Sequence, residues 1–449
     1  MNHSRLIKPL LDGEYPVISH GLGVYLYDLD GKRYLDGSSG AVTACIGHGV
    51  KEINEAMLKQ ANKVAFVYRS QFTSEPAEEL AEKLSMLSKQ VKYWSFLVNS
   101  GSEATETALK IAIQYWQEKG MKTKQKILSR WMSYHGITLG ALSMSGHPLR
   151  RTRFVPLLED YPTVSPPYCY RCPYNDTFPN CKLKCATELE RAISRIGADH
   201  IAAFISEPIV GAAGAALTPP PGYYEEIRKI CDQYNILFIS DEVMTGIGRT
   251  GKMLALDHWN TVADIVTLGK GLSAGYTPVA AVLIQDRIIE PIQQGSNLIM
   301  SGHTFSGNPL SAAVALAVLN YIETHDLVNK AHEQGLYLVD QLLLLKTKHF
   351  LIGDIRGKGL LIGIEFTSNL QKIPFKQEVA LTNLVLSKTK QRGLLVYPAA
   401  SGDDGVHGDA IIIAPPLTIS KDEIDELVSL LDHALTDVTQ ELQLNGLLA

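Results

Sequence analysis

The sequence predicts an α/β fold in which a mainly parallel sheet is flanked by helices, with a smaller α+β domain beside it. Apolar runs of strand length alternate with amphipathic helical patterns such as "GYYEEIRKICDQYN" through the middle of the chain. Strands joined by crossovers of this length pair in parallel. With 449 residues, 45% of them hydrophobic, the chain can bury a large core and form a further domain. The runs that predict strands are 93–98, 201–208, 236–243 and 263–271.

The pattern changes near residue 310, and this change predicts the second domain. Two long helical patterns come first, "NPLSAAVALAVLNYIETH" and "NKAHEQGLYLVDQLLLLKTK". Two short apolar strands, "GLLIGIEF" and "AIIIAP", and a closing helix follow them. We therefore expect the last third of the chain to fold apart from the central sheet.

Composition excludes several classes of partner. The formal net charge of −5 and a pI near 6.2 give no basic surface for nucleic acid or for an anionic membrane. The N-terminal segment contains no apolar signal core, and stretches such as "SAAVALAVLNYI" are too short to span a bilayer. We therefore expect a cytoplasmic protein that binds neither nucleic acid nor membrane.

Four of the six cysteines lie within one short segment, "PYCYRCPYNDTFPNCKLKC", as Cys169, Cys172, Cys181 and Cys185. Two close pairs joined by a loop could hold a structural zinc ion, and metal is more plausible than a disulfide in a reducing cytosol. The spacing between the two pairs is shorter than in the common zinc modules. The alternative is a loop of reduced thiols without metal, and the sequence leaves both open.

Lys270 stands between two glycines in "TLGKGL", directly after an apolar run that predicts a buried strand. Glycines on both sides are typical of a turn, and many strands end in a lysine. A lysine amine in this place can also act as a nucleophile, once burial has lowered its pKa. The residues at the other strand ends help to decide between an ordinary turn and a nucleophilic lysine.

A possible phosphate site follows the strand at residues 93–98. The segment "NSGSEATETALK" places Gly101 and Ser102 between this strand and a helix. Free N–H groups at the helix start, small residues and the serine hydroxyl could together hold a phosphate. The same Ser-Gly-Ser sequence is also an ordinary N-cap turn.

Acidic and aromatic residues follow three more strands. Asp241 and Glu242 end "ILFISDEV", and a carboxylate at this edge of an open α/β sheet can pair with a protonated ring nitrogen. Glu207 ends "IAAFISE", and Tyr134 and His135 follow a further strand in "WMSYHG". Taken singly, such residues are more often helix caps, salt-bridge partners or packing residues.

The order of these motifs along the chain resembles that of the class III aminotransferases, pyridoxal-phosphate enzymes of fold type I. The resemblance covers nearly the whole chain and is carried by "NSGSEATETALK", "YHG", "EPIVGAAG", "DEVMTGIGRTG", "TLGKGL", "HTFSGNPLSAAVA", "IRGKGLLIGIEF" and "APPLTIS". It implies a large cofactor-binding domain over residues 56–318. It also implies a smaller α+β domain built from both chain ends, over residues 1–55 and 319–449.

The resemblance implies a role for each matched residue. Lys270 would form a Schiff base with the aldehyde of pyridoxal 5′-phosphate and would then carry the proton between substrate carbon and cofactor. Asp241 would pair with the ring nitrogen and keep the ring an electron sink. Tyr134 would stack on one face of the ring and Val243 on the other, and His135 of the same "YHG" motif belongs to the cofactor-binding set.

The cofactor phosphate would be bound by Gly101 and Ser102, joined by Thr304 of "HTFSGNP" from the neighbouring subunit. A homodimer with shared active sites is therefore implied. Glu207 would lie near the hydroxyl side of the cofactor, where the family uses it to organise the substrate pocket.

By the same resemblance, the substrates are small amines or amino acids and oxo acids. "EPIVGAAG" carries Val210 and Ala212 where branches acting on ornithine, acetylornithine or 4-aminobutyrate have Gln and Glu, and no arginine precedes "APPL". These features favour an ω-amino acid or amine:pyruvate aminotransferase, with Arg69 and Arg392 as candidates for binding a carboxylate. The alternatives are a 2-oxoglutarate-using ω-aminotransferase, a racemase or aminomutase of the same class, and a binding protein that has lost catalysis.

Overall fold

A computed structural model describes residues 5–448, in which strands and helices alternate through the centre of the chain. The strands are β1 (Ile18–Leu22), β2 (Tyr25–Asp28), β3 (Arg33–Asp36), β4 (Tyr93–Val98), β5 (Lys126–Arg130), β6 (Thr163–Val164), β7 (Ile201–Ser206), β8 (Leu237–Asp241), β9 (Ile265–Leu268), β10 (Ala280–Gln285), β11 (Ile352–Lys358), β12 (Leu361–Phe366), β13 (Leu394–Leu395), β14 (Tyr397–Ala400) and β15 (Asp409–Ile413). The helices are α1 (Ser39–Val42), α2 (Lys51–Lys63), α3 (Glu75–Ser85), α4 (Gly101–Glu118), α5 (Leu139–Ser143), α6 (Pro148–Arg151), α7 (Lys184–Ile196), α8 (Tyr223–Gln233), α9 (Asp286–Gln294), α10 (Pro309–Thr324), α11 (Leu327–Lys348), α12 (Leu381–Gln391) and α13 (Lys421–Leu444). Within the described part of the chain, none of these helices has the length and apolar composition needed to cross a bilayer.

The central sheet has seven strands in the order β4-β10-β9-β8-β7-β5-β6. Neighbours from β9 across to β6 pair in parallel, whereas β10 runs antiparallel to both β9 and β4. The predicted α/β fold with a mainly parallel sheet is therefore confirmed. The connection from Leu268 to Ala280 contains only the three-residue helical turn Lys270–Leu272 and no crossover helix, and β10 accordingly returns antiparallel.

Helices cover both faces of this sheet because its strands are apolar on both faces. β7 is buried along its whole length. Phe204 packs into the larger core on one face, while Ala203 and Ile205 pack on the other, where α4 and α9 lie. With both faces covered, the ends of the strands are the part of the sheet that a ligand can reach.

Two four-stranded sheets lie outside the central one, in the orders β1-β2-β3-β13 and β11-β12-β15-β14. β3 pairs in parallel with β13, with Leu35 opposite Leu394, so the N-terminal segment joins the C-terminal part of the chain. The strands β11, β12, β15 and β14 pair antiparallel throughout. This arrangement fits a smaller domain built from both chain ends, and the boundaries at residues 55 and 318 stay a prediction.

The four clustered cysteines lie in the segment between β6 and α7 and at the start of α7, and the structure does not support the zinc prediction. Cys169, Cys172, Cys181 and Cys185 border one small cavity of about 20 Å³. Within residues 5–448, however, no three His, Cys, Asp or Glu side chains are arranged to hold a metal ion. Burial raises the pKa of the Cys185 thiol to about 12 and also raises the pKa of Cys169, so both side chains are protonated thiols in the metal-free segment.

Carboxylates hold this segment in place instead. Arg171 Nε donates to Glu365 Oε1 at 2.6 Å, and the Tyr168 hydroxyl donates to the same carboxylate. Tyr174 donates to Glu188 of α7. None of the six cysteines, all of which lie within residues 5–448, forms a disulfide.

Candidate active site

A cavity of about 190 Å³ lies at the carboxyl ends of the parallel strands. Asp241 ends β8, Glu207 directly follows β7, and Lys270 lies two residues beyond β9. The loops that follow neighbouring parallel strands converge at this edge of a sheet, which is where open α/β sheets bind ligands. The structure brings eight predicted residues together around the cavity: Gly101, Ser102, Tyr134, His135, Glu207, Asp241, Val243 and Lys270.

Lys270 reaches the cavity from a strained backbone position. Its φ of 42° lies in the left-handed region, which costs a residue with a side chain about 1–2 kcal/mol. A methyl group on Gly269 would come within 3.2 Å of Val243 Cγ1, and one on Gly271 within 3.4 Å of Cys45 Sγ. Gly269 therefore allows Val243 to pack closely against the backbone beside the lysine, whereas a methyl group at Gly271 would make an ordinary van der Waals contact.

The Lys270 amine has a low pKa. Burial lowers this pKa to about 8, the positive charges of Arg150 and Arg249 act in the same direction, and Glu207 and Asp241 act against them. A sizeable fraction of the amine is therefore neutral near physiological pH, and the neutral amine is the nucleophilic form.

Asp241 is held at the cavity by three donors. His135 Nδ1 lies 2.7 Å from Asp241 Oδ2, and Val243 N and Thr267 Oγ1 donate to Oδ1 at 3.1 Å each. Because a carboxylate only accepts, His135 Nδ1 carries a proton, and its Nε2 has no partner among the described residues. Asp241 is only 4% exposed, so its charge is available chiefly to a group inside the cavity.

Glu207 joins two walls of the cavity. Its Oε1 accepts from the N–H of Tyr134 and its Oε2 from the N–H of Gly211, both at 2.9 Å. Its backbone carbonyl accepts from Arg130 Nη2 and from the Tyr224 hydroxyl, both at 2.6 Å. Burial raises the pKa of the Glu207 carboxyl group. These contacts fix the loops after β5 and β7 relative to each other.

The start of α4 offers hydrogen-bond donors to an anion. Ser100 caps this 18-residue helix, since its Oγ accepts from Glu103 N at 3.2 Å. The N–H groups of Gly101 and Ser102 have no acceptor within residues 5–448, and the helix dipole adds positive potential there. Ser102 Oγ accepts from Ile137 N at 3.0 Å and keeps its own proton to donate. The segment is thus both an N-cap turn and a candidate phosphate site.

Three residues named from the sequence lie outside this cavity. Thr304 is exposed in the loop between α9 and α10, and its expected contribution from a second subunit stays a prediction. Arg392 is paired with Asp437 through Nε and Nη2, both at 2.8 Å. Arg69 donates to the Ser301 carbonyl at 2.6 Å. Neither arginine lines the cavity of its own chain, so neither is placed there to bind a carboxylate.

Sequence reasoning missed several side chains that support or adjoin the site, among them Thr267, Ser145 and Arg150. Thr267 donates to Asp241 because these two residues are opposite each other in the parallel pair β8–β9. Ser145 Oγ accepts from His135 N at 2.8 Å. Arg150, on α6, lies beside the cavity. Thr267 could have been predicted from the order of the strands, because β8 and β9 are neighbours. Ser145 lies in a loop and Arg150 on a single-turn helix, and neither segment has a sequence periodicity from which its position could be predicted.

These groups suit the chemistry of pyridoxal phosphate. A pyridine nitrogen that must stay protonated needs a carboxylate, which Asp241 provides. A phosphate needs convergent N–H and O–H donors, which the start of α4 provides. An aldehyde needs a neutral amine, which Lys270 provides. All three groups lie around one cavity.

Comparisons with a family model, with curated proteins and with solved structures all indicate the same family. Residues 12–435 match the family model for class III aminotransferases. The chain is 54% identical to the uncharacterised aminotransferase YodT of Bacillus subtilis, over 98% of this chain and 99% of that protein. It is 37% identical to a taurine–pyruvate aminotransferase of Bilophila wadsworthia, over 94% and 93%. A solved amine transaminase from an uncultivated Pseudomonas species, in its pyridoxal-phosphate-bound form, has a TM-score of 0.91 and 34% identity, over 97% of this chain and 99% of that one.

The relatives are aminotransferases, and the comparisons do not favour a racemase, an aminomutase or a non-catalytic binding protein. The family's cofactor is the one that the cavity suits. From the family match, the relatives and the geometry of the site, the chain belongs to the class III aminotransferases, pyridoxal-phosphate-dependent transaminases of fold type I.

Proposed function

We propose that this aminotransferase takes an amino group from an amine or ω-amino acid and transfers it to pyruvate. The observation that carries the proposal is the composition of the cavity wall, in which Lys270 is the only lysine or arginine among the described lining residues. Val210 is fully buried, and Ala212 lines the wall, where glutamate-using branches carry polar residues. A second carboxylate would be desolvated there without a charged partner, and pyruvate brings only one.

The segment that precedes "APPL" adds no positive charge to this wall. Ala400 N donates to the Ala212 carbonyl at 2.8 Å, which ties β14 to the cavity wall. The loop that follows, residues 401–408, contains two aspartates and no lysine or arginine. The taurine–pyruvate aminotransferase among the relatives is named for the same acceptor.

Each residue at the cavity has a defined part in the proposed reaction. Bound pyridoxal phosphate supplies an aldehyde that takes up the amino group and a ring that withdraws electrons. The Asp241 carboxylate would accept a hydrogen bond from the ring nitrogen and hold a proton on that atom. The amides of Gly101 and Ser102 would bind the phosphate. Lys270 Nζ, neutral because of its low pKa, would take the proton from the substrate carbon.

We also propose a homodimer in which Thr304 from one subunit completes the phosphate site of the other. Thr304 lies in an exposed apolar surface that includes Phe305 and Met300, which are 57% and 71% exposed. Phe66 packs edge-on against Phe305, with ring centroids 5.7 Å apart, and is itself 40% exposed. Clustered exposed aromatic residues of this kind mark an interaction surface, and the family match favours a second copy of the chain as the partner.

The first prediction concerns Lys270. The purified wild-type enzyme is expected to be yellow. Lys270→Ala removes both the amine that bonds the aldehyde and the group that moves the proton, so kcat should fall at least about 100-fold. Lys252→Ala, which removes an exposed lysine, is the matched control and should leave kcat unchanged. Near-wild-type turnover by Lys270→Ala would overturn the assignment.

The second prediction concerns pH. Because burial lowers the pKa of Lys270 to about 8, the amine is protonated below that pH and reactive above it. The rate at which apoenzyme regains visible absorbance with added pyridoxal phosphate should rise with pH and level off above about 8. A lysine with an ordinary pKa of about 10.4 would show a rate still rising beyond pH 9.5 or so. Stopped-flow absorbance across this range distinguishes the two outcomes.

The third prediction concerns the dimer. Phe305→Asp places a charge in the proposed interface and should shift sedimentation velocity from dimer to monomer. Phe350→Asp, at a phenylalanine that is 50% exposed beyond α11, is the control and should leave the dimer intact.

Thr304→Ala should weaken pyridoxal-phosphate binding about tenfold, as expected for one lost hydrogen bond to a charged group. A fully active wild-type monomer would contradict the shared site.

The fourth prediction concerns the acceptor. With one good amine donor, kcat/KM for pyruvate should exceed that for 2-oxoglutarate by at least about tenfold, because the second carboxylate of 2-oxoglutarate lacks a partner in the cavity wall. The measurement is the initial rate with each oxo acid at several concentrations. A preference for 2-oxoglutarate would show that a cation from another part of the molecule reaches the cavity.

A further inference from the structure

Arg150 lies beside the cavity with its guanidinium over an aromatic ring of the cavity wall. It sits near the end of α6, and its guanidinium carbon is 4.3 Å from the centroid of the Tyr134 ring. Tyr134 lines the cavity together with Lys270. Arg150 is partly buried and is close enough to Lys270 for its charge to act on the amine. Arg150 therefore contacts a residue of the cavity wall without itself lining the cavity.

The Arg150 guanidinium has no carboxylate partner within residues 5–448. Its neighbour Arg151 is held by backbone carbonyls, since Nη1 donates to those of Leu142, Ser143 and Ser145 at 2.9, 3.0 and 2.8 Å. His147, packed edge-on to Tyr134, supplies no compensating charge. A partly buried arginine without a counter-ion beside a reaction cavity is suited to an anionic ligand.

The other arginines close to the cavity are committed elsewhere. Arg130 donates to the Glu207 carbonyl, and Arg249 donates to the carbonyls of Leu360 and Pro415 at 3.0 and 2.5 Å. Both guanidinium groups are fully buried and would leave carbonyls without donors if they moved. Of Arg130, Arg150 and Arg249, only Arg150 can turn towards the cavity without breaking hydrogen bonds to buried backbone carbonyls.

We propose that Arg150 binds the substrate carboxylate, the group that an amino acid donor and an oxo acid acceptor share. This inference rests on the proposed transaminase function and names the residue that selects its acidic substrates. The guanidinium rests on Tyr134 in the free enzyme and turns to the carboxylate when a substrate enters. No ion pair has to break for this movement, and the planar guanidinium can bind both carboxylate oxygens. A single such cation matches a substrate with a single carboxylate.

The test compares two amino donors that differ only in the carboxylate. L-Alanine is the amino counterpart of pyruvate, and isopropylamine has a methyl group in place of the carboxylate. Loss of visible absorbance in the holoenzyme measures each donor half-reaction without an acceptor. Arg150→Met should lower kcat/KM for L-alanine and for pyruvate about 10- to 100-fold, the range for a lost hydrogen bond to a charged group, and should change the isopropylamine reaction less than about threefold.

Two further variants and one inhibition measurement distinguish a loss of carboxylate binding from a general effect of the substitution on folding or charge. Arg150→Lys retains the charge but not the paired donors and should be intermediate, which also covers the case in which Arg150→Met folds poorly. Arg153→Met, which removes an exposed arginine three residues away, should behave as wild type. Propionate, an unreactive carboxylate, should inhibit wild type competitively, with an inhibition constant raised about 10- to 100-fold by Arg150→Met.

The outcomes separate this inference from the proposed function. Equal loss for L-alanine and isopropylamine would show that Arg150 only supports Tyr134, and would overturn the inference while leaving a transaminase. Unchanged propionate inhibition in Arg150→Met would also overturn it. Failure of the wild-type enzyme to accept an amino group from either donor would instead count against the proposed function. The dissociation constant of propionate, measured directly by isothermal titration calorimetry in wild type and Arg150→Met, would still test the role of Arg150.

Discussion

Three buried ionisable groups, Lys270, Asp241 and Glu207, line one cavity, and the reactivity of the site depends on how their charges are compensated. The two carboxylates are compensated by donors of their own: Glu207 takes two backbone N–H groups, and Asp241 takes a histidine, a backbone N–H and a threonine hydroxyl. Within residues 5–448, neither carboxylate forms an ion pair with Lys270. Burial therefore dominates at the lysine and lowers its pKa, leaving the amine reactive. Carboxylates paired directly to Lys270 would have kept it charged.

Close backbone packing is what lets these groups meet. A methyl group on Gly101 would come within 2.8 Å of Val243 Cγ1, and one on Gly136 within 2.6 Å of Ser102 Oγ. A methyl group on Gly211 would come within 2.2 Å of the sulfur atom of Met244, in the loop after β8. At each of these contacts, loops from different strands approach more closely than a side chain at the glycine would allow. The glycines of the motifs therefore set the distance between loops that carry the reactive groups.

The sequence could predict which residues lie at the ends of the strands, but it could not predict the orientation of every side chain around the site. Asp241, Glu207 and Lys270 could be grouped in advance because the ends of parallel strands share one edge. The family resemblance then supplied their roles. Arg150 could not be placed, since it lies on a single-turn helix after a loop without periodicity, and its orientation depends on packing against Tyr134. The zinc prediction is not supported for a related reason: close spacing in the sequence does not by itself arrange three ligands around one point, and no such group is found within residues 5–448.

The cysteine segment instead connects to the wall of the cavity through charged groups. Glu365 of β12 accepts from Arg171 of that segment and from Arg356 Nη1, the latter at 2.7 Å. Arg356 also donates to the carbonyls of Gly214 and Ala215, at 2.9 and 3.0 Å, in the loop that carries Ala212. This chain of partly buried hydrogen bonds links the smaller C-terminal sheet, the cysteine segment and the cavity wall. A change at Glu365 removes a buried negative charge from between two arginines, so its effect reaches the substrate wall without any contact with the substrate.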